Sequence, residues 1–117
     1  MEQLKESFGR HGLTYNLIKR NDKLCIYGVS GTYTNKILHY EVMLIRINKA
    51  RTTWGKDFPE SESIPSDEQF GKSKPDRHYQ TTDKAESYFN AWNDCLVEGL
   101  SSKQTNEILS SFDNLPA

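Results

Sequence analysis

The amino-acid sequence predicts an α+β domain: a small antiparallel β-meander of three to four strands packed against a C-terminal helix, with a second short helix after it. Three observations carry this. Apolar residues alternate with others over residues 13–20, 23–29 and 37–49, the two-residue period of strands. From residue 84 the period lengthens: Ala85, Phe89, Trp92 and Leu96 lie four, three and four apart, a single helical stripe. Strands come first and helices last, without the alternation that parallel sheets require.

The elements follow in order. Residues 2–8 fit two turns of helix with Leu4 and Phe8 on one side, ended by Gly9 and Gly12. Residues 13–20 and 23–29 form a hairpin about Asn21-Asp22, both good turn formers. Residues 30–36 are a polar connection. Residues 37–49 are the third strand, apolar on both faces: Tyr40, Val42 and Leu44 point one way, Met43, Ile45 and Ile47 the other. Such a strand belongs near the middle of a layered domain. Residues 51–77 form a long, partly ordered loop, pinned by Trp54, Phe58, Ile64 and Phe70. Within it Ser66 and Gln69 can cap one helical turn, closed by Gly71. Residues 78–81 fit a short fourth strand. Asp83 and Glu86 offer a capping box for the main helix, over residues 84–97, and Gly99 a stop. Residues 100–117 are a peripheral helix and tail: Ser101 and Gln104 open it, Ile108, Leu109 and Phe112 are its stripe, and Asn114-Leu115-Pro116 ends it. The main helix covers one apolar row of the third strand. The other row needs Trp54 and Phe58, the last helix or a second copy of the chain.

A chain of 117 residues makes one domain, 1–117, with one modest core. Six Tyr, five Phe and two Trp supply the bulk to close it. No apolar run approaches the roughly 20 residues needed to cross a bilayer. The opening MEQLKESFGRHG lacks a signal-peptide core, so a cytoplasmic protein with no membrane partner is expected. Cys25 and Cys95 are too few for a disulfide framework and read as small core residues. Charge is uneven. Residues 1–51 hold nine Lys or Arg against four Asp or Glu, a net +5, and residues 52–117 six against twelve, a net −6. Mutual attraction of the two layers is the preferred account of this, ahead of an acidic partner meeting the sheet edge.

Catalytic patterns are sparse. The chain has neither Cys-x2-Cys nor His-x3-His, so no metal or cofactor is expected. Gly28-Val29-Ser30-Gly31 has neither the Gly-x-Ser-x-Gly elbow nor the phosphate-loop spacing, and reads as a bend between strands. His39 and Glu41 share a strand face, and with His78 they are the minor candidates for an enzyme cleft. Tyr15, Lys19, Tyr27 and Arg46 could form an aromatic, basic sheet surface for single-stranded nucleic acid, which stacking and charge would hold. The slightly acidic chain, pI near 6.3, weighs against it.

Tyr40-Glu41-Val42, Ile45-Arg46, the run Pro65-Ser66-Asp67-Glu68-Gln69-Phe70-Gly71, Asp83-Lys84-Ala85 and Tyr88-Phe89 together form a recurrent pattern. Over roughly residues 15–92 the chain resembles small uncharacterised proteins carried by phages and mobile elements of gut bacteria. Arg77-His78 departs from the aromatic residues of that pattern, and the tail from Leu100 lies outside it. The resemblance implies an accessory protein and no catalytic residue. The expectation is therefore a non-enzymatic binding or accessory module for a protein partner, with Trp54, Phe58, Asp67 and Glu68 as its contact surface. The nucleic-acid surface is the alternative. Oligomeric state is left open.

Overall fold

The alternating segments pair as a meander, but the sheet is wider than expected. The computed structural model describes residues 1–31, 33–34, 36–72 and 74–112. In chain order come β1 (Ser7–Arg10), β2 (Leu13–Arg20), β3 (Leu24–Gly31), β4 (Ile37–Leu44), β5 (Arg46–Asn48), β6 (Arg51–Thr53), β7 (Lys56–Phe58), β8 (Ser61–Ser63), β9 (Arg77–Tyr79), α1 (Thr82–Val97) and α2 (Ser102–Ser110). The main sheet is antiparallel, in the order β1-β2-β3-β4-β9, and two small ladders, β5 with β8 and β6 with β7, stand apart from it. The class is α+β.

The doubly buried strand is β3, one strand earlier than expected. Its neighbours β2 and β4 run its full length, whereas β9 meets β4 only over Tyr40, Glu41 and Val42. Leu24 and Ile26 of β3 join Val42 on the helix side; Cys25, Tyr27 and Val29 join Met43 and Ile45 on the other. The expected single strand over 37–49 is broken. The Ile45 N–H donates to the Lys23 carbonyl at 2.8 Å, and β5 then leaves to pair with β8. The alternation thus holds through Ile45 and fails at Ile47, which is 51% exposed.

On the helix side, α1 buries Ala85, Tyr88, Phe89 and Trp92 against Leu24, Ile26 and Val42. Its cap is Thr81, two residues before the expected Asp83: the Thr81 hydroxyl accepts from the Lys84 N–H at 3.3 Å. Asp83 lies in the first turn instead, where the helix dipole favours a carboxylate. At the far end Gly99 has φ +72°, and Leu100 N–H bonds back to the Cys95 carbonyl. That left-handed closure favours glycine. The Ser101–Gln104 capping box forms as expected. Of the expected stripe Leu109 is buried and Phe112 packs on the core, whereas Ile108 is half exposed and Thr105 faces inward in its place. Phe112 packs its ring on Tyr79 and Tyr88. The expected stop at Asn114-Leu115-Pro116 lies outside the described residues.

The other face is covered by the chain itself, with Leu4, Phe8, Ile64 and Phe70 packed on it, and not by Trp54 and Phe58. No helix forms over residues 2–8. Glu2 makes a parallel bridge to Ser61, and β1 follows as an edge strand. Tertiary contacts outweigh the weak helical tendency of so short a segment. Phe8 stacks on Tyr15 with centroids 5.0 Å apart, and the Tyr27 hydroxyl donates to the Lys5 carbonyl at 2.6 Å. Gly12 is no helix stop: with His11 it forms the tight turn from β1 to β2.

Two carboxylates fix residues 59–76 to the body. Glu62 accepts from the two terminal guanidinium nitrogens of Arg20, at 2.7 and 2.8 Å, and from the Leu4 N–H at 3.1 Å. The bond to Arg20 holds its carboxyl below the usual range. Asp76 is buried and accepts from the Leu44 N–H at 3.1 Å, the Gly71 N–H at 3.2 Å and Arg46 at 3.4 Å. Burial outweighs these donors and raises its carboxyl. The expected turn at Ser66–Gln69 forms with reciprocal side-chain bonds at 3.1 and 3.3 Å. The 51–77 segment is therefore three strands and an anchored turn, with β9 starting at its end.

Candidate functional site

The first candidate surface is the β6–β7 hairpin. Trp54 and Gly55 form its two-residue turn, with φ of +56° and +73°. Positive φ at both positions is the type I′ pattern that matches strand twist, and it is ordinarily filled by Asn-Gly. A bulky aromatic residue in the left-handed region is unfavourable. Yet Trp54 sits there with 95% of its surface in water. Phe58, on the next strand, is 42% exposed, and the Arg51 guanidinium lies 5.3 Å from its ring centroid. A Thr52 hydroxyl bond to Asp57 at 2.8 Å ties the two strands. Residues 49–60 hold Lys49, Arg51 and Lys56 against Asp57 and Glu60, and Glu2 lines the same hollow as Lys49, Arg51 and Phe58.

Asp67 and Glu68 fall on a different element, the Ser66–Gln69 turn. Asp67 accepts from Arg10 at 3.0 Å and stands 3.2 Å from the His11 imidazole. Arg10 also donates to the Pro65 carbonyl at 3.1 Å. Asp67 is thus engaged in holding its own turn against β1, while Glu68 is exposed. The four expected contact residues do not share one element: Trp54 and Phe58 lie on the β6–β7 hairpin, while Asp67 is bonded to Arg10 from the Ser66–Gln69 turn.

The second candidate, the stacking surface for nucleic acid, does not assemble. Tyr15 is only 4% exposed and Tyr27 is fully buried, so neither ring can receive a base. Burial pushes both phenols up to about 12. The bulge after Leu17 turns Lys19 to the helix side, where its ammonium lies 4.9 Å from the Phe89 ring centroid. Arg46 is bonded to buried Asp76. The period-two pattern named these residues correctly as strand residues but did not show that the strap of residues 1–10 would cover the rings.

The third candidate does converge. β4 and β9 pair with Glu41 opposite His78. The His39 Nε2 stands 2.9 Å from Glu41 Oε2, and the His39 and His78 ring centroids are 5.2 Å apart. The Tyr15 hydroxyl reaches across β3 to donate to the same Glu41 oxygen at 3.2 Å. His78 is exposed, and His39 is 24% exposed at its side chain. The His39–Glu41 pairing was legible from the strand alternation, whereas Tyr15 as the third member needed the register across three strands.

Cys25 and Cys95 are buried free thiols, and burial raises both, Cys25 to about 12. A thiol so shifted is a poor nucleophile. Among the described residues no three His, Cys, Asp or Glu side chains are arranged to hold a metal ion. Nor is any described helix long and apolar enough to cross a membrane. No family model, no curated protein and no solved structure matches this chain.

Proposed function

We propose that the protein is a small binding module whose β6–β7 hairpin engages a protein partner through Trp54 and Phe58. One observation carries the reading: an indole held almost wholly in water, at a backbone position that disfavours it. Packing does not account for the residue, since it has 95% of its surface exposed. Large rigid aromatics are the side chains that anchor protein interfaces. The resemblance to accessory proteins of phages and mobile elements points the same way, toward a host or element-encoded macromolecule.

The test exploits the turn itself. Trp54→Asn puts the preferred residue into a type I′ turn and removes the anchor. Tagged wild-type protein and the variant are used to capture partners from a lysate of the native host, and affinity is then measured with the purified captured protein. The expected result is a partner held by wild type and bound at least about tenfold more weakly by the variant, a loss typical of a hot-spot side chain. Equal binding by the two proteins would exclude Trp54 as the anchor.

A further inference from the structure

The two edges of the main sheet are not alike. β9 is three residues long and leads through Gln80 and Thr81 into α1. β1 is a regular strand without proline or bulge, and its Ser7 and Gly9 are exposed. The register shows which way its main chain faces. Arg10 and Leu13 pair across the turn at His11-Gly12, and the Glu6 carbonyl accepts from the Leu17 N–H at 2.7 Å. Residues 6, 8 and 10 therefore bond to β2, and the N–H and C=O groups of Ser7 and Gly9 point away from the sheet. Among the described residues nothing bonds to these outward groups. An edge left this way is a template for another strand.

The pattern of β1 matches itself. A two-fold axis through Phe8 sets Ser7 opposite Gly9 of a second copy and Gly9 opposite that copy's Ser7, so the outward donors and acceptors of both chains are all paired. The same register sets Glu6 opposite Arg10 of the second copy, once at each end, and directly opposed unlike charges stabilise an antiparallel pair. Both side chains are able to make this contact. Glu6 is exposed, and among the described residues its carboxylate has no hydrogen bond or ion pair. Arg10 uses only Nη2 for the Pro65 carbonyl and Asp67, which leaves its other guanidinium nitrogens to donate. The two neighbouring registers set Glu6 or Arg10 against Phe8 and lose both ion pairs.

We propose that two copies of the chain join antiparallel along β1, so that their five-stranded sheets become one continuous sheet with α1 of both copies on the same face. Phe8 meets its counterpart on the opposite face, where it already stacks on Tyr15 at 5.0 Å and meets Tyr27 edge-on at 5.4 Å. A cross-strand aromatic pair extends that cluster over the seam. A hollow of about 360 Å³ opens on this face beside the edge, lined in part by Leu4, Phe8, Gly9 and Ile64, and the second copy narrows its mouth. The paired strip is short, smaller than a standard interface, so the dimer is weak and reversible. The β6–β7 hairpin takes no part in it, and the dimer does not depend on the role proposed for Trp54.

Sedimentation equilibrium of the full chain, from about 10 μM to about 1 mM, is the test. The mass should rise from 13.5 kDa toward twice that value. Gly9→Pro removes an outward N–H that the fold does not use and should weaken self-association by at least about tenfold. Glu6→Arg and Arg10→Glu each set like charges together at both ends and should weaken it as much. An equimolar mixture of these two variants restores both unlike pairs and should associate at least about tenfold more tightly than either alone, a rescue that damage to the fold does not produce. Melting temperatures measured alongside show whether each variant is folded. Arg10→Glu also loses the bond to Asp67; should it fail to fold, Gly9→Pro and exposed Glu6→Arg decide. Trp54→Asn should associate as wild type does. A wild-type mass that stays at 13.5 kDa throughout overturns the proposal. So does unchanged association in folded Gly9→Pro or folded Glu6→Arg, a mixture of folded charge variants no tighter than its parts, or dissociation caused by Trp54→Asn.

Discussion

The two tryptophans of this chain lie at opposite extremes. Trp92 sits on α1 with 2% of its surface exposed, packed among Leu24, Ile26 and Val42; Trp54 sits at a hairpin tip with 95% exposed. The first is explained by the fold, because burying a large aromatic is what closes a small core. The second is not, and its backbone conformation acts against it. The same residue type therefore reports stability in one region and, on the reading proposed above, recognition in the other. Substitutions in the two regions should separate accordingly.

The largest effect is expected where the core is emptied. Trp92→Ala should destabilise by about 3–5 kcal/mol, read as a lower urea midpoint with binding lost only through unfolding. Next comes Asp76→Ala. It orphans the Leu44 and Gly71 N–H groups and leaves Arg46 without its carboxylate, at a cost of about 3 kcal/mol by chemical denaturation.

Glu62→Gln ranks third, at about 1.5 kcal/mol near neutrality, since it weakens a charge-assisted fork to Arg20. Its sign with pH is determined by the lowered carboxyl. The contribution of Glu62 is present above the ordinary carboxylate range and is lost as pH falls through its depressed value. The gap between wild type and Glu62→Gln should therefore close in acid. Asp76 runs the other way: its raised carboxyl favours the fold at low pH and disfavours it as pH rises through that value. A gap at residue 62 that stays constant down to strong acid would contradict the ion pair.

Much of the core was legible because its signals are local. The stripe of Ala85, Phe89, Trp92 and Leu96, the Ser101–Gln104 box and the Ser66–Gln69 turn each involve residues within about three turns of one another. The errors are non-local. Which strand lies at the centre depended on β9 being too short to cover β4. Residues 2–8 became a strap because Phe8 and Lys5 find Tyr15 and Tyr27, not because of their own propensity. The break at Ile45 is imposed by Lys23 and Asp76, both distant in sequence or reached through a turn. At the hairpin the signal was local but unconventional: Trp54-Gly55 between Arg51-Thr52-Thr53 and Lys56-Asp57-Phe58 has the spacing of a two-residue turn, with Trp where Asn is the usual residue. His39 and Glu41 were readable on one strand, and their meeting with Tyr15 followed from register alone.

The smallest change in stability belongs to the substitution that tests the central contrast. Thermal unfolding of Trp54→Asn, measured beside its affinity for the captured partner, asks whether this indole serves recognition or folding. Relief of the left-handed strain should leave the melting temperature unchanged or slightly higher, by up to about 1 kcal/mol in stability, while binding falls. A variant that melts well below wild type yet still binds the partner with full affinity would place Trp54 with Trp92, among the residues that hold the fold.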